Sequence, residues 1–164
     1  MLSYRNATIT DLPKIIEIYN SIVAGRMVTA DTEPVSVESR IKWFHEHEPV
    51  NRPLWMVYDS DNLVGWVSFQ SFYGRPAYRF TAEISIYLDQ QMRGKGYGEK
   101  ILKYAMSKCA ELEIKTLLGY IFGHNEPSLK LFKKLGFETW GTFPGIAELD
   151  NIERDLIILG KRIN

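Results

Sequence analysis

The chain has 164 residues, 45% of them hydrophobic and 24% charged, which suits one domain, residues 1–164, with a core that needs no disulfide or metal. Its 20 basic residues balance its 20 acidic ones, so no net field draws it to nucleic acid or to an anionic membrane. A local basic patch stays open, and no stretch approaches the roughly 20 apolar residues of a membrane span.

Leu2 to Thr8 reads as a first strand. Thr10 then offers a cap and Pro13 a first-turn residue. Ile15, Ile16, Ile18, Tyr19 and Ile22 follow at helical spacing, and Gly25 ends the helix. A polar loop, Arg26 to Val35, leads to Ser36 as the cap of a second helix carrying Ile41 and Phe44. Two apolar runs, Leu54–Tyr58 and Leu63–Phe69, flank Asp59-Ser60-Asp61-Asn62, a hairpin signal. Phe80–Leu88 follows as a strand in which Ile84, Ile86 and Leu88 alternate with Glu83, Ser85 and Tyr87.

A glycine-rich turn next opens a long helix through Leu112. Its apolar stripe contains Cys109, the single cysteine, which reads as a small buried hydrophobe in a chain without disulfides. Thr116–Phe122 is a further strand, Pro127–Leu135 a short helix stopped by Gly136, and Glu138–Phe143 and Arg154–Lys161 two closing strands. The order βααβββαβαββ predicts an α/β fold with helices on both faces of a mixed sheet. His45, His47 and His124 form no HExxH or Cys/His cluster, so no metal is expected. The start MLSYRNATITDL has no long apolar run behind basic residues, so no secretory signal is expected, and a cytoplasmic setting follows.

The segment that carries chemistry is Gln91-Met92-Arg93-Gly94-Lys95-Gly96-Tyr97-Gly98, between a strand and a helix. Glycine backbones can approach a ligand closely and adopt positive φ. The helix start that follows presents free N–H groups and a positive dipole end, and Arg93 and Lys95 add charge. A pyrophosphate suits such a turn, although the same spacing also serves a plain strand-to-helix connection. No Gly-Lys-Ser/Thr closes it as a Walker loop would, and its place after the fourth strand fits a Rossmann fingerprint poorly.

On these residues the sequence resembles the GNAT superfamily of N-acetyltransferases. Arg93-x-x-Gly96-x-Gly98 is similar to that family's acyl-CoA signature, and Asn125-Glu126-Pro127-Ser128 with Leu135-Gly136-Phe137 to its N-x-x-S/A…GF stretch. Thr32-Glu33-Pro34, Arg75-Pro76-Ala77-Tyr78 and Thr81-Ala82-Glu83 resemble the phosphinothricin acetyltransferase-like branch. The resemblance implies the GNAT fold, a mixed, mostly antiparallel sheet splayed at its fourth and fifth strands. It also implies acetyl-CoA as co-substrate, a small amine or amino-acid acceptor such as phosphinothricin or methionine sulfone, and a homodimer. Main-chain contacts to pantetheine would come from Ile86, Tyr87 and Leu88. The pyrophosphate would lie on Arg93, Gly94, Lys95, Gly96, Tyr97 and Gly98, with Asn125 and Ser128 beside the pantetheine arm. Asn125 serves equally well as a helix cap.

Glu83 stands at the branch's acidic position and is the candidate base, its pKa raised by burial beside Ile84 and Ile86; the alternative is a carboxylate paired with Arg79 or Arg75. The oxyanion would meet the main-chain N–H of Tyr87 or Leu88. Arg75 and Tyr78 match substrate-handling positions, or else sit in a solvated loop. Trp43, Trp66 and Tyr73 either wall the acceptor pocket or belong to the core. Two departures stand out: Phe132 occupies the position of the usual proton donor, and Asp150 that of the branch's C-terminal histidine. Ala30 also replaces a common aromatic. These changes argue against phosphinothricin itself as acceptor. They also leave open an enzyme acetylating a protein N-terminus or lysine, and a catalytically impaired acyl-CoA-binding module.

Overall fold

A computed structural model describes residues 1–163. Its elements run β1 (Leu2–Asn6), α1 (Leu12–Val23), α2 (Ile41–His45), β2 (Leu54–Asp59), β3 (Asn62–Ser71), β4 (Thr81–Leu88), α3 (Tyr97–Lys108), β5 (Thr116–Phe122), α4 (Glu126–Lys134), β6 (Glu138–Leu149) and β7 (Ile152–Arg162). All strands join one sheet in the order β1-β2-β3-β4-β5-β7-β6. Every neighbouring pair is antiparallel except β4 and β5.

The alternation of the central strands divides the core in two. Val57, Val67, Phe69, Ala82 and Ile84 pack with Ile101, Leu102 and Ala105 of α3 and with Phe132 of α4. On the opposite face Leu54, Met56 and Trp66 pack with Leu12, Ile15, Ile16 and Ile18 of α1. Helices therefore cover both faces, as the sequence predicts. Cys109 is fully buried against α3's own Ala105 carbonyl.

Several boundaries differ from the sequence expectation. The N-cap of α1 is Asp11 rather than Thr10, and Thr8 caps a 3-10 turn, Ile9–Asp11, that leads into it: the Thr8 N–H donates to Asp11 Oδ2 at 2.7 Å, and Arg5 grips the same carboxylate through two contacts of 2.8 Å. Ser36 accepts from the Ser39 N–H and caps a 3-10 turn, Glu38–Arg40, so that α2 keeps only five residues. Helix α3 stops at Lys108, because Glu113 takes φ 55° and the Ile114 N–H turns back to the Cys109 carbonyl. The last hairpin is longer than expected, β6 running on to Leu149 through Pro144 and Gly145. The sheet edge tolerates this: a proline there removes no ladder hydrogen bond, and a register shift between Phe143 and Ala147 absorbs the break.

Candidate active site

The pairing of β4 with β5 is the feature that makes room for a ligand. Thr81, Ala82 and Glu83 pair with Thr116, Leu117 and Leu118, and pairing then ends. Beyond that point a cleft opens between Ile84–Leu88 and Gly119, Tyr120 and Ile121, closed by Gly98, Asn125, Ser128, Leu131 and Phe132. The register with β3 decides which backbone groups face it. The Asp89 N–H donates to the Val64 carbonyl and the Phe72 N–H to the Thr81 carbonyl. Since hydrogen-bonded and non-bonded pairs alternate, Tyr87 and Ser85 turn their main-chain groups to β3, while Leu88 and Ile86 turn theirs to the cleft. Of the two N–H groups considered for the oxyanion, the one on the cleft side is therefore Leu88. Tyr87 lines the cleft as well, but not with its amide.

At the cleft's outer end Gly94 and Gly96 adopt φ 73° and 78°, conformations that a side chain resists. Gly96 is the N-cap of α3 and supplies no side-chain acceptor, so the first N–H groups of the helix stay open to an anion. Gly98 sits where α3 approaches α4, a Cβ there lying 3.3 Å from Leu131. Arg93 does not extend freely. Its guanidinium donates to the Leu88 carbonyl at 3.3 Å and to Ser21 at 3.0 Å, tying the turn to β4 and α1. Lys95 is exposed, and the Tyr97 hydroxyl anchors α3 to β2 through Asp59 at 2.7 Å. Asn125 is buried; its side-chain oxygen caps α4 by accepting from the Ser128 N–H at 3.3 Å, and it also lines the cleft.

A second cavity, of about 230 Å³, lies on the other face of the same strand. Its floor is three directly opposed cross-strand pairs, Trp66 with Tyr87, Ser68 with Ser85 and Gln70 with Glu83. Ile16 and Tyr19 of α1, Arg40 and Trp43 form the remaining walls. Trp66 is buried, its indole N–H held by the Ile15 carbonyl at 3.1 Å, and its ring stacks on Tyr87 at 4.4 Å. Ser85 and Tyr87 line both this cavity and the cleft, so the two meet at those residues.

Glu83 stands beside that junction. It makes no hydrogen bond or ion pair among the described residues, and burial pushes its carboxyl from 4.5 up to about 7. The pairing with Arg79 or Arg75 considered from the sequence is not formed; Arg79 instead lies over the Phe80 ring at 4.5 Å. The burial has a different source from the one expected. Ile84 and Ile86 belong to the opposite face of β4, and Glu83 is enclosed by the aromatic and hydroxyl walls of the cavity. Tyr120, which lines the cleft and borders a further space of about 390 Å³ shared with Glu83, has its hydroxyl pushed up to about 12 by burial and so keeps its proton.

Other expected residues fall elsewhere. Arg75 precedes, and Tyr78 ends, an exposed 3-10 turn, Pro76–Tyr78; neither lines the cleft or the cavity, and Tyr73 is 78% exposed. Asp150 occupies the β6–β7 turn at φ 53°, paired with Arg26 at 3.0 Å. Phe132 is buried against Phe137, its ring 2.7 Å from where a Cβ on Gly119 would stand. Tyr19, Arg40, Ser68, Gln70 and Ser85 are the polar residues lining the cavity that sequence reading missed. Only Ser85 carried a signal, the alternation that puts it on the face of Glu83.

Residues 15–137 match the sequence profile of the Acetyltransferase (GNAT) family. The chain is 51% identical over 164 residues to YwnH of Bacillus subtilis (strain 168), provisionally named a phosphinothricin acetyltransferase, with 99% of this chain and 100% of that one covered. It is 28% identical over 147 residues to an L-methionine sulfoximine/L-methionine sulfone acetyltransferase of Pseudomonas paraeruginosa, covering 89% of this chain and 86% of that one. The crystal structure of a GNAT superfamily phosphinothricin acetyltransferase from Sinorhizobium meliloti in complex with AcCoA superposes with a TM-score of 0.90 at 27% identity, covering 99% of this chain and 89% of that one.

Proposed function

We propose that this chain, which belongs to the GNAT family of acetyltransferases, moves an acetyl group from acetyl-CoA to the amine of a small amino acid or amino-acid analogue, with Glu83 as proton acceptor. The observation that carries this reading is the juxtaposition on β4 of a splayed main-chain edge with a largely buried carboxylate that has no partner among the described residues. The edge, the open α3 start and Asn125 suit a pantetheine diphosphate, as expected of Ile86, Leu88, Gly94, Gly96, Gly98 and Ser128. Bound there, acetyl-CoA supplies an activated carbonyl and a thiol leaving group.

The residues' parts follow from their placement. Ser85 and Tyr87 bring the cavity to the cleft, so an amine in the cavity stands close to the carbonyl. Glu83 takes the proton of an incoming ammonium, for which a pKa about 7 is well matched near neutrality. The Leu88 N–H faces the developing oxyanion. The names of YwnH and of the sulfoximine/sulfone enzyme support an amino-acid analogue as acceptor. The cavity's 230 Å³ supports the same scale, since pockets for drug-sized ligands run from roughly 300 Å³ upward. A protein chain as acceptor finds no support in a recess of that size.

A cytoplasmic setting and a homodimer complete the reading. Buried, unpaired Cys109 supports the first, and exposed Trp140, Phe143, Ile146 and Ile152 on the edge hairpin support the second. The test is thiol release from acetyl-CoA by purified protein with amino acids, their sulfone and sulfoximine analogues, and polyamines. Release with one amine class supports the proposal; no release with any of them refutes it.

A further inference from the structure

The acceptor cavity contains one cation and one carboxylate among its lining residues, Arg40 and Glu83. Arg40 sits at the junction of the Glu38–Arg40 turn and α2, in the wall facing the β3–β4 floor. Its guanidinium lies 5.7 Å from the Tyr19 ring centre, and its Nη2 donates to Asp31 Oδ2 at 2.8 Å. The Tyr19 hydroxyl donates to the same aspartate and is hydrogen-bonded to Thr29. Arg40 is thereby fixed from two sides by groups that themselves are fixed. Its Nε and Nη1 make no hydrogen bond among the described residues.

A guanidinium carries five N–H donors in a rigid plane, so one carboxylate on Nη2 leaves other edges for a second anion. Asp31 is 38% exposed and stays in contact with solvent, which weakens its hold on the charge. An arginine built into the wall of a small aromatic recess, with donors pointing at no protein acceptor, suits an oxoanion on the ligand. The opposite requirement, a group that accepts a proton from an ammonium, is met by Glu83 in the same cavity.

We infer that Arg40 binds an oxoanion of the acceptor and is thereby a specificity-determining residue of the cavity. The inference rests on the acetyl-transfer reading and names what that site selects. Arg75, the position first considered for this part, lies outside the cavity. Tyr19 and Asp31 are positioning residues: they hold the guanidinium in the wall of the recess.

The experiment compares wild type with Arg40→Gln and Arg40→Lys, using thiol release with three acceptors. These are the best amino-acid substrate, the amine obtained by removing its α-carboxylate, and the same amino acid with its side-chain oxoanion replaced by a methyl group. The readout is the ratio of kcat/KM for the amino acid to that for each partner compound. A charge-assisted hydrogen bond lost in the bound state predicts that this ratio falls by roughly 10- to 100-fold in Arg40→Gln, mainly through KM, with part recovered in Arg40→Lys. The compound against which the ratio collapses identifies whether α-carboxylate or side chain is held. Calorimetry of acetyl-CoA binding to each variant separates this from loss of fold, because an intact cleft keeps the wild-type Kd. An unchanged ratio for both comparison compounds overturns the inference while acetyl transfer stands; no thiol release by wild type with any acceptor overturns both.

Discussion

Replacing Glu83 by glutamine gives two independent readouts from one change. The carboxyl is pushed from 4.5 to about 7 by burial alone, so the folded chain holds that proton more tightly than the unfolded chain. Stability is therefore greatest below the unfolded value, falls as pH rises toward about 7, and is level above it. At 1.36 kcal/mol per unit the cost of the ionised form is at most about 3 kcal/mol, and partial solvent access brings it nearer about 2 kcal/mol. Glutamine has nearly the same shape and never ionises. The variant is thus expected to melt above wild type by roughly 4–8 °C at about pH 8, with the advantage vanishing near about pH 4.5. Activity should move the other way. Wild-type kcat/KM should climb through about pH 7 as the base loses its proton, and the variant should lack that limb and run about 10²- to 10⁴-fold slower. Thermal melts across pH and a thiol-release assay supply both curves. A variant with wild-type turnover and the same pH limb would refute the assignment of the base, and a melting difference independent of pH would refute the account of its burial.

Asn125→Ala should lose about 1 kcal/mol by uncapping α4, and Asn125→Ser should regain it; if the serine variant restores thermal stability while its Kd for acetyl-CoA stays raised, the amide contacts the ligand as well as the helix. Gly96→Ala forces a Cβ into φ 78°, which is expected to cost about 1–2 kcal/mol and to weaken acetyl-CoA binding in calorimetry; an unchanged melt and Kd would show that the turn does not depend on glycine there. Asp150→Asn removes only an ion pair with an aspartate 63% exposed; stability should shift by less than about 1 kcal/mol and kcat by less than about twofold. A large fall in kcat would give Asp150 a part in proton transfer that its position in the hairpin turn does not suggest.

The sequence told most about features that repeat over short distances. Alternation from Glu83 to Leu88 announced a strand with two different faces, and the glycines around Lys95 announced the turn that ends at α3. One error on that strand came from reading adjacency as contact: Ile84 and Ile86 are Glu83's neighbours along the chain but lie on the far face of the sheet; another was to expect the Tyr87 main chain in the cleft, where the register with β3 turns it away. The long final hairpin was hidden because Pro144 and Gly145, just past Phe143, look like a break, and only an edge position makes them harmless. The acceptor cavity was the least visible part. Its walls come from α1, the turn before α2 and two strands, and no local pattern links Tyr19 or Arg40 to Glu83 across those separations. An exposed-looking arginine before a helix gives no hint that it lines a recess; only the packing of α1 over β3 and β4 shows it.

The division of labour within β4 also bears on how such an enzyme could acquire new acceptors. Even-numbered positions from Ile84 to Leu88 give their main chain to the cleft and their side chains to the α3 layer, whereas the odd-numbered ones furnish the cavity floor. Mutations at Tyr19, Arg40 and Trp43 across the recess alter one compartment while leaving the other's geometry in place, because those residues line the cavity and not the cleft. Selection can therefore explore amines one wall at a time with the acyl-carrier half held constant.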